Sequence, residues 1–117
     1  ELAEDYVEAI ADLIESQEIC RAVDLANQFQ VSHVTVNRTI GRLLRDGYVK
    51  TEPYGPIELT DLGRKLADAS RRRHEIVYAF LLAIGVSEAV AVSDSEGIEH
   101  HVSPETLTAM QAFLDRQ

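Results

Sequence analysis

Two prolines and a glycine within five residues, Glu52-Pro53-Tyr54-Gly55-Pro56, interrupt a chain whose apolar spacing is otherwise helical. A turn of that composition ends any helix and favours a reversal of the chain. The flanking stretches 48–51 and 57–59 are short and β-prone, so a two-stranded hairpin is the simplest reading. Before it, Tyr6, Val7, Ile10, Leu13 and Ile14 follow a helical period over residues 2–16. A second, shorter helix over 21–28 has Val23, Leu25 and Ala26 as its expected inner residues. Ser32 is the expected N-cap of a third helix ending at Arg45, with Val36, Ile40, Leu43 and Leu44 as its apolar stripe. Asp46-Gly47 closes that helix through a left-handed stop. Beyond the hairpin, Thr60 caps a long helix ended by Gly85, and residues 87–92, 94–102 and 104–116 read as three more. Pro104 sits at the first position of the last helix.

Helix, tight connection, helix, hairpin is the layout of a winged helix-turn-helix, so the fold class is mainly α with a two-stranded wing. The expected division is a DNA-binding domain over 1–70 and an α-helical dimerisation and metal-binding lobe over 71–117. At 117 residues the chain is one ordinary domain in length, or two small lobes. The longest apolar run, residues 79–84, is too short to cross a bilayer, so no membrane is expected. The single cysteine, Cys20, excludes an intrachain disulfide framework and reads as a small buried apolar residue. No basic-then-apolar leader is visible, which fits a cytoplasmic protein. The only methionine is Met110, so a longer reading frame is expected.

A net charge of −9 argues against nucleic acid until its distribution is considered. Residues 1–18 carry −7, residues 19–50 carry +3, residues 51–75 balance, and residues 76–117 carry −5. A basic middle between acidic ends suits an anion in the centre and a cation at the ends. Ser32, His33, Thr35, Val36 and Asn37, in the first turns of the third helix, are the candidates for base edges. Asn37 has the donor and acceptor to pair with adenine, and the Thr35 methyl suits thymine. Arg38, Arg42 and Lys50 are the candidates for phosphates. The competing reading makes Arg38, Arg42 and Arg45 the solvated face of an amphipathic helix.

The second constellation lies at the acidic ends. Asp5 and Glu8 are three residues apart on one helix face; Glu96, Glu99 and His100 stand at i, i+3 and i+4; His74 is an isolated candidate on the long helix. Carboxylates gathered on one face repel unless a cation lies among them, although Asp5 and Glu8 also fit an ordinary acidic solvated surface. Oxygen donors with imidazole and no thiolate favour a hard or borderline divalent ion, manganese above copper or structural zinc.

Glu4-Asp5-Tyr6-Val7-Glu8, Arg73-His74-Glu75 and Glu96-Gly97-Ile98-Glu99-His100-His101 resemble the manganese-dependent repressors related to the diphtheria toxin repressor. The likeness runs over essentially the whole chain with the motifs in the same order. It implies a homodimer that grips a double-stranded DNA operator when metal is bound. By motif, Asp5, Glu8, His74, Glu96, Glu99 and His100 match a two-metal site, with Glu96 and Glu99 as the shared carboxylates. Iron-responsive relatives have cysteine where Glu96 stands and methionine where Asp5 stands, so the resemblance points to Mn2+, two per subunit. Fe2+ or Zn2+ on the same fold is the alternative, and a dimetal hydrolase is a more distant one, for which no acid-base or oxyanion group is visible. No small-molecule substrate is expected. Residues 32–37 are not a fixed family motif, so the resemblance carries no operator sequence. Val90, Val92, Leu107, Met110 and Phe113 are candidates for the dimer face or for packing within the second lobe.

Overall fold

The computed structural model describes residues 2–117, and these divide into two units, one ending at Asp68 and one spanning Ala69–Gln117. The order is α1 (Leu2–Gln17), α2 (Ala22–Phe29), α3 (His33–Arg45), β1 (Val49–Lys50), β2 (Glu58–Leu59), α4 (Asp61–Ala83), α5 (Glu88–Ile98) and α6 (Pro104–Asp115). Among the described residues no helix is long and apolar enough to cross a membrane.

The first unit is built around the inner faces of α1, α2 and α3. Val7, Ile10, Leu25 and Val36 have no exposed surface, and Leu43, Val49 and Ile57 close the core from α3 and the wing. The Tyr6 ring stacks on Phe29 with centroids 4.5 Å apart, tying α1 to the end of α2. On α2 the inward face is Ala22, Leu25, Ala26 and Phe29, a spacing of three and four, so Val23 falls outside the stripe and is exposed, contrary to expectation. Leu44 on α3 is exposed for the same reason, one position beyond Leu43.

Local chemistry fixes the ends of α3. The Ser32 hydroxyl accepts from the Thr35 N–H at 3.2 Å, the N-cap expected from sequence. Gly47, at φ +82°, turns the chain out of the helix into β1. The wing pairs antiparallel, Val49 with Leu59 and Lys50 with Glu58, and a further bridge joins Cys20 to Ile57. Thr60 accepts from the Gly63 N–H at 3.1 Å and donates to the Gly47 carbonyl, so one hydroxyl caps α4 and staples it to the base of the wing. Gly63 is required there, because a β-carbon would run into the Tyr48 carbonyl.

The second unit contains the remainder of α4 with α5 and α6. Val77, Leu81 and Ala91 are its buried centre, with Tyr78, Leu82, Ile98, Val102, Leu107 and Met110 packed around them. Leu107 and Met110 therefore pack within their own unit, and Phe113 meets Phe80 edge-on at 5.4 Å. Val90 and Val92 remain exposed. Residues 87–102 do not form the two expected helices: α5 runs unbroken from Glu88 to Ile98. The expected boundary at Ser93 is absent, and, two residues on, the buried Ser95 hydroxyl donates back to the Val92 carbonyl at 3.1 Å within the continuous helix. Ser103 caps α6 through the Thr106 N–H at 3.2 Å, with Pro104 following it in the first turn.

Candidate metal centre and nucleic-acid interface

In the first unit, the core-facing stripe of α3 leaves its opposite face to solvent. Ser32, His33, Thr35, Asn37, Arg38 and Arg42 are all exposed, as is Lys50 on β1. Val36 is not: it has no exposed surface and belongs to the core with Ile40 and Leu43, so it offers nothing to a base edge. Val34 takes that place, being 66% exposed in the first turn of α3. The helical period that carries Val36 inward turns Val34 outward, so the signal for it was present in the sequence.

The cations of this surface are uncommitted. Among the described residues, the side chains of Arg38, Arg42, Arg45 and Lys50 make neither hydrogen bond nor ion pair within the chain. In an acidic protein such cations leave a local positive surface beside the exposed helix start. The Ser32 and Thr35 hydroxyls lie 3.1 Å apart and keep acceptor capacity outward. The arrangement can hold phosphates along α3 and Lys50 and place Val34, Thr35 and Asn37 against base edges.

In the second unit, Glu99 follows the last residue of α5 and is buried, with a side chain only 7% exposed. His74 Nδ1, from α4, lies 2.8 Å from Glu99 Oε2, and His100 Nε2 lies 3.5 Å from Oε1. The His100 side chain is as buried as Glu99, whereas that of His74 is 35% exposed. The His74 ring lies nearly parallel to Tyr78, with centroids 6.1 Å apart. A buried carboxylate needs a hydrogen-bond partner, and the His74 imidazole supplies one.

Three of the six expected ligands thus come together, His74, Glu99 and His100. Glu96 is exposed on the last turn of α5, one helical turn before Glu99. Asp5 and Glu8 lie half-buried on α1 in the first unit, and each is engaged in a polar interaction. Among the described residues no group of three or more His, Cys, Asp or Glu side chains is spread in a metal-holding arrangement. His74 and Glu99 are closed on each other at hydrogen-bond distance. The donor chemistry still fits a divalent ion of the hard or borderline kind: one carboxylate with both oxygens facing imidazole nitrogens, and no sulfur nearby. The sole thiol, Cys20, lies buried in the other unit, its pKa pushed up to about 12 by burial and then by Asp24.

Comparison with known proteins covers both units. Residues 1–57 match the family described as "Iron dependent repressor, N-terminal DNA binding domain", and residues 60–116 match "Iron dependent repressor, metal binding and dimerisation domain". The chain is 49% identical over 116 residues to "Transcriptional regulator MntR" of Salmonella typhimurium, covering 99% of this chain and 74% of that protein. A solved structure described as "Manganese-dependent transcriptional repressor complex with manganese" superposes with a TM-score of 0.86 at 32% identity, over 97% of this chain and 52% of that one. "Crystal Structure of ScaR with bound Zn2+" gives a TM-score of 0.84 at 26% identity, over 98% of this chain and 54% of that one. The chain therefore spans about three-quarters of its curated relative and about half of these solved chains. With the winged unit and the helical unit each matched in order, the chain belongs to the iron-dependent repressor family.

Proposed function

We propose that the chain is a manganese-responsive repressor that binds a palindromic operator as a homodimer in the cytoplasm. The observation that carries this reading is the buried Glu99 carboxylate, faced by His74 at 2.8 Å and His100 at 3.5 Å in a chain that also bears an unpaired cationic helix face. Glu99, His74 and His100 are proposed to hold metal together with Asp5, Glu8 and Glu96, two ions per subunit. When bound, the metal supplies positive charge that neutralises clustered carboxylates. The chain's own residues do the rest. Glu99, His74 and His100 would offer a bound cation a carboxylate and two imidazoles, and α3 presents Ser32, His33, Val34, Thr35 and Asn37 to the major groove. Arg38, Arg42 and Lys50 neutralise phosphates.

Manganese is favoured by the oxygen-rich donor set and by the relatives' names. Because zinc binds such donors more tightly than manganese in the general affinity order, activation of DNA binding, rather than metal affinity, separates the two. The homodimer is supported by the second unit's small buried centre and by Val90 and Val92, which remain 48% and 49% exposed on α5. Two-fold symmetry places the operator half-sites about one helical turn apart.

The test is Glu99→Ala assayed by fluorescence anisotropy on duplexes selected from a random pool by the wild-type protein. Wild type should bind with manganese and release with chelator, and the variant should bind equally weakly in both. Manganese-dependent binding that survives in Glu99→Ala overturns the assignment.

A further inference from the structure

We propose that the cavity between the end of α1 and the base of the wing binds a small apolar α-amino acid as its zwitterion; the site lies wholly within the first unit and goes beyond the metal and DNA reading above. The cavity has a volume of about 280 Å³. Pockets for drug-sized ligands run from roughly 300 to 1,000 Å³, so this occupant is smaller than those. Part of the lining is apolar. Ile57 and Leu59 of the wing are buried, Ile14 of α1 is half-buried, and Ile19 is 42% exposed. A branched aliphatic body covers such a surface.

Charges of both signs complete the lining. Lys50 and Arg64 bring two cations, and Glu18 and Glu58 bring two carboxylates. Among the described residues, none of these four side chains makes a hydrogen bond or ion pair within the chain. Lys50 and Glu58 are register partners across the wing and still do not close on each other. Four uncommitted charges of balanced sign are complementary to a ligand with one charge of each sign on an apolar body. A simple anion would meet the two carboxylates, and a simple cation would meet the ammonium and guanidinium groups. An α-amino acid carries the whole set: a carboxylate for Arg64 and Lys50, an ammonium for Glu18 and Glu58, and a side chain for the isoleucines.

One of the carboxylates is placed there at a cost. Glu18 follows α1 with φ +74°, a left-handed position that suits glycine at a helix end. The turn is held by the Glu18 N–H to the Ile14 carbonyl at 2.9 Å and by the Gln17 side-chain amide to the Ile19 carbonyl at 3.0 Å. Glycine would make that turn without strain, so a glutamate on the cavity lining is not explained by the turn. Lys50 is also one of the cations assigned to DNA phosphates. A ligand carboxylate that engages it leaves the operator one fewer cation, so the occupied cavity opposes DNA binding.

The test is titration of the whole chain with L-leucine, read by calorimetry and by amide nitrogen–proton correlation spectra, with thermal unfolding of every variant. Leucine should bind with a dissociation constant of about 1 mM or tighter, as suits a ligand of so few atoms, and shift the amide signals of Ile19 and Glu58. N-acetyl-leucine lacks the ammonium and leucine amide lacks the carboxylate. Each should bind about tenfold more weakly, and leucine itself should bind Glu18→Gln and Arg64→Ala about tenfold more weakly. The two derivatives keep the test independent of any variant's fold. At constant free manganese, saturating leucine should also lower the slope of log operator affinity against log salt by about one. No leucine binding up to about 10 mM overturns the site, as does equal binding of both derivatives or unchanged leucine binding by both variants. Leucine that binds but leaves the salt slope unchanged overturns the part given to Lys50. If wild type binds no operator, the DNA-binding reading fails while the titration still decides the cavity.

Discussion

Two valines on α3 separate folding from recognition. Val36 has no exposed surface and packs among Ile40 and Leu43, which are 7% and 2% exposed, whereas Val34 is 66% exposed in the first turn. Val36→Ala deletes two methyl groups from the core of the first unit. At about 0.8 kcal/mol for each buried carbon, the transfer loss is about 1.6 kcal/mol. Incomplete collapse around the gap adds roughly another 1 kcal/mol, for a total of about 2.5 kcal/mol. For a chain of this length that lowers the unfolding midpoint by about 10 °C. Val34→Ala removes the same atoms from the surface and should change stability by less than about 0.5 kcal/mol. It should instead weaken binding to a thymine-containing operator by about fivefold, through loss of apolar contact with a base methyl. Urea or thermal unfolding followed by circular dichroism gives the first quantity, and anisotropy titration below the midpoint gives the second. The reasoning is refuted if Val36→Ala keeps the wild-type midpoint, or if Val34→Ala lowers it while binding DNA normally.

Gly63→Ala should destabilise the first unit by roughly 1–3 kcal/mol, since the new methyl meets the Tyr48 carbonyl at the base of the wing; an unchanged midpoint would contradict the packing. Ser32→Ala and Ser103→Ala should each cost about 1 kcal/mol by removing an N-cap, but only Ser32→Ala should also weaken the operator complex in anisotropy. Cys20 should resist thiol reagents at pH 8 and react only on unfolding, because its pKa is raised from 9.0 to about 12 in the fold. The sign follows from proton release by the unfolded chain. The thiol's contribution to stability is constant below pH 9 and falls as pH rises from 9 towards 12. A midpoint that rises over that window in wild type relative to Cys20→Ala would contradict it.

Local signals were legible in the sequence and tertiary ones only partly so. Ser32, Thr60, Ser103, Gly47 and Gly85 act at helix ends as their chemistry dictates, because caps and left-handed stops depend on a few neighbouring residues. One position of helical phase decides inside from outside at Val23 and Leu44, which the fold exposes, while Val36 lies inward as its apolar stripe requires and so is not available as a base-edge residue. The boundary expected at Ser93 is absent, because serine and aspartate tolerate a helix interior when a hydroxyl folds back on the backbone, as Ser95 does on Val92. The His74–Glu99 pair spans 25 residues, and the Arg21–Tyr54 bond spans 33. No local period encodes either. The first was reachable by resemblance to a family, and the second only from the folded wing.

The central claim is that metal and DNA binding are coupled in one molecule. The direct measurement is the manganese affinity of the protein alone and saturated with operator, set beside its operator affinity with and without manganese. Because linkage is reciprocal, DNA should tighten manganese by the same factor by which manganese tightens DNA. Manganese bound equally well with and without operator, alongside DNA binding indifferent to metal, would contradict it.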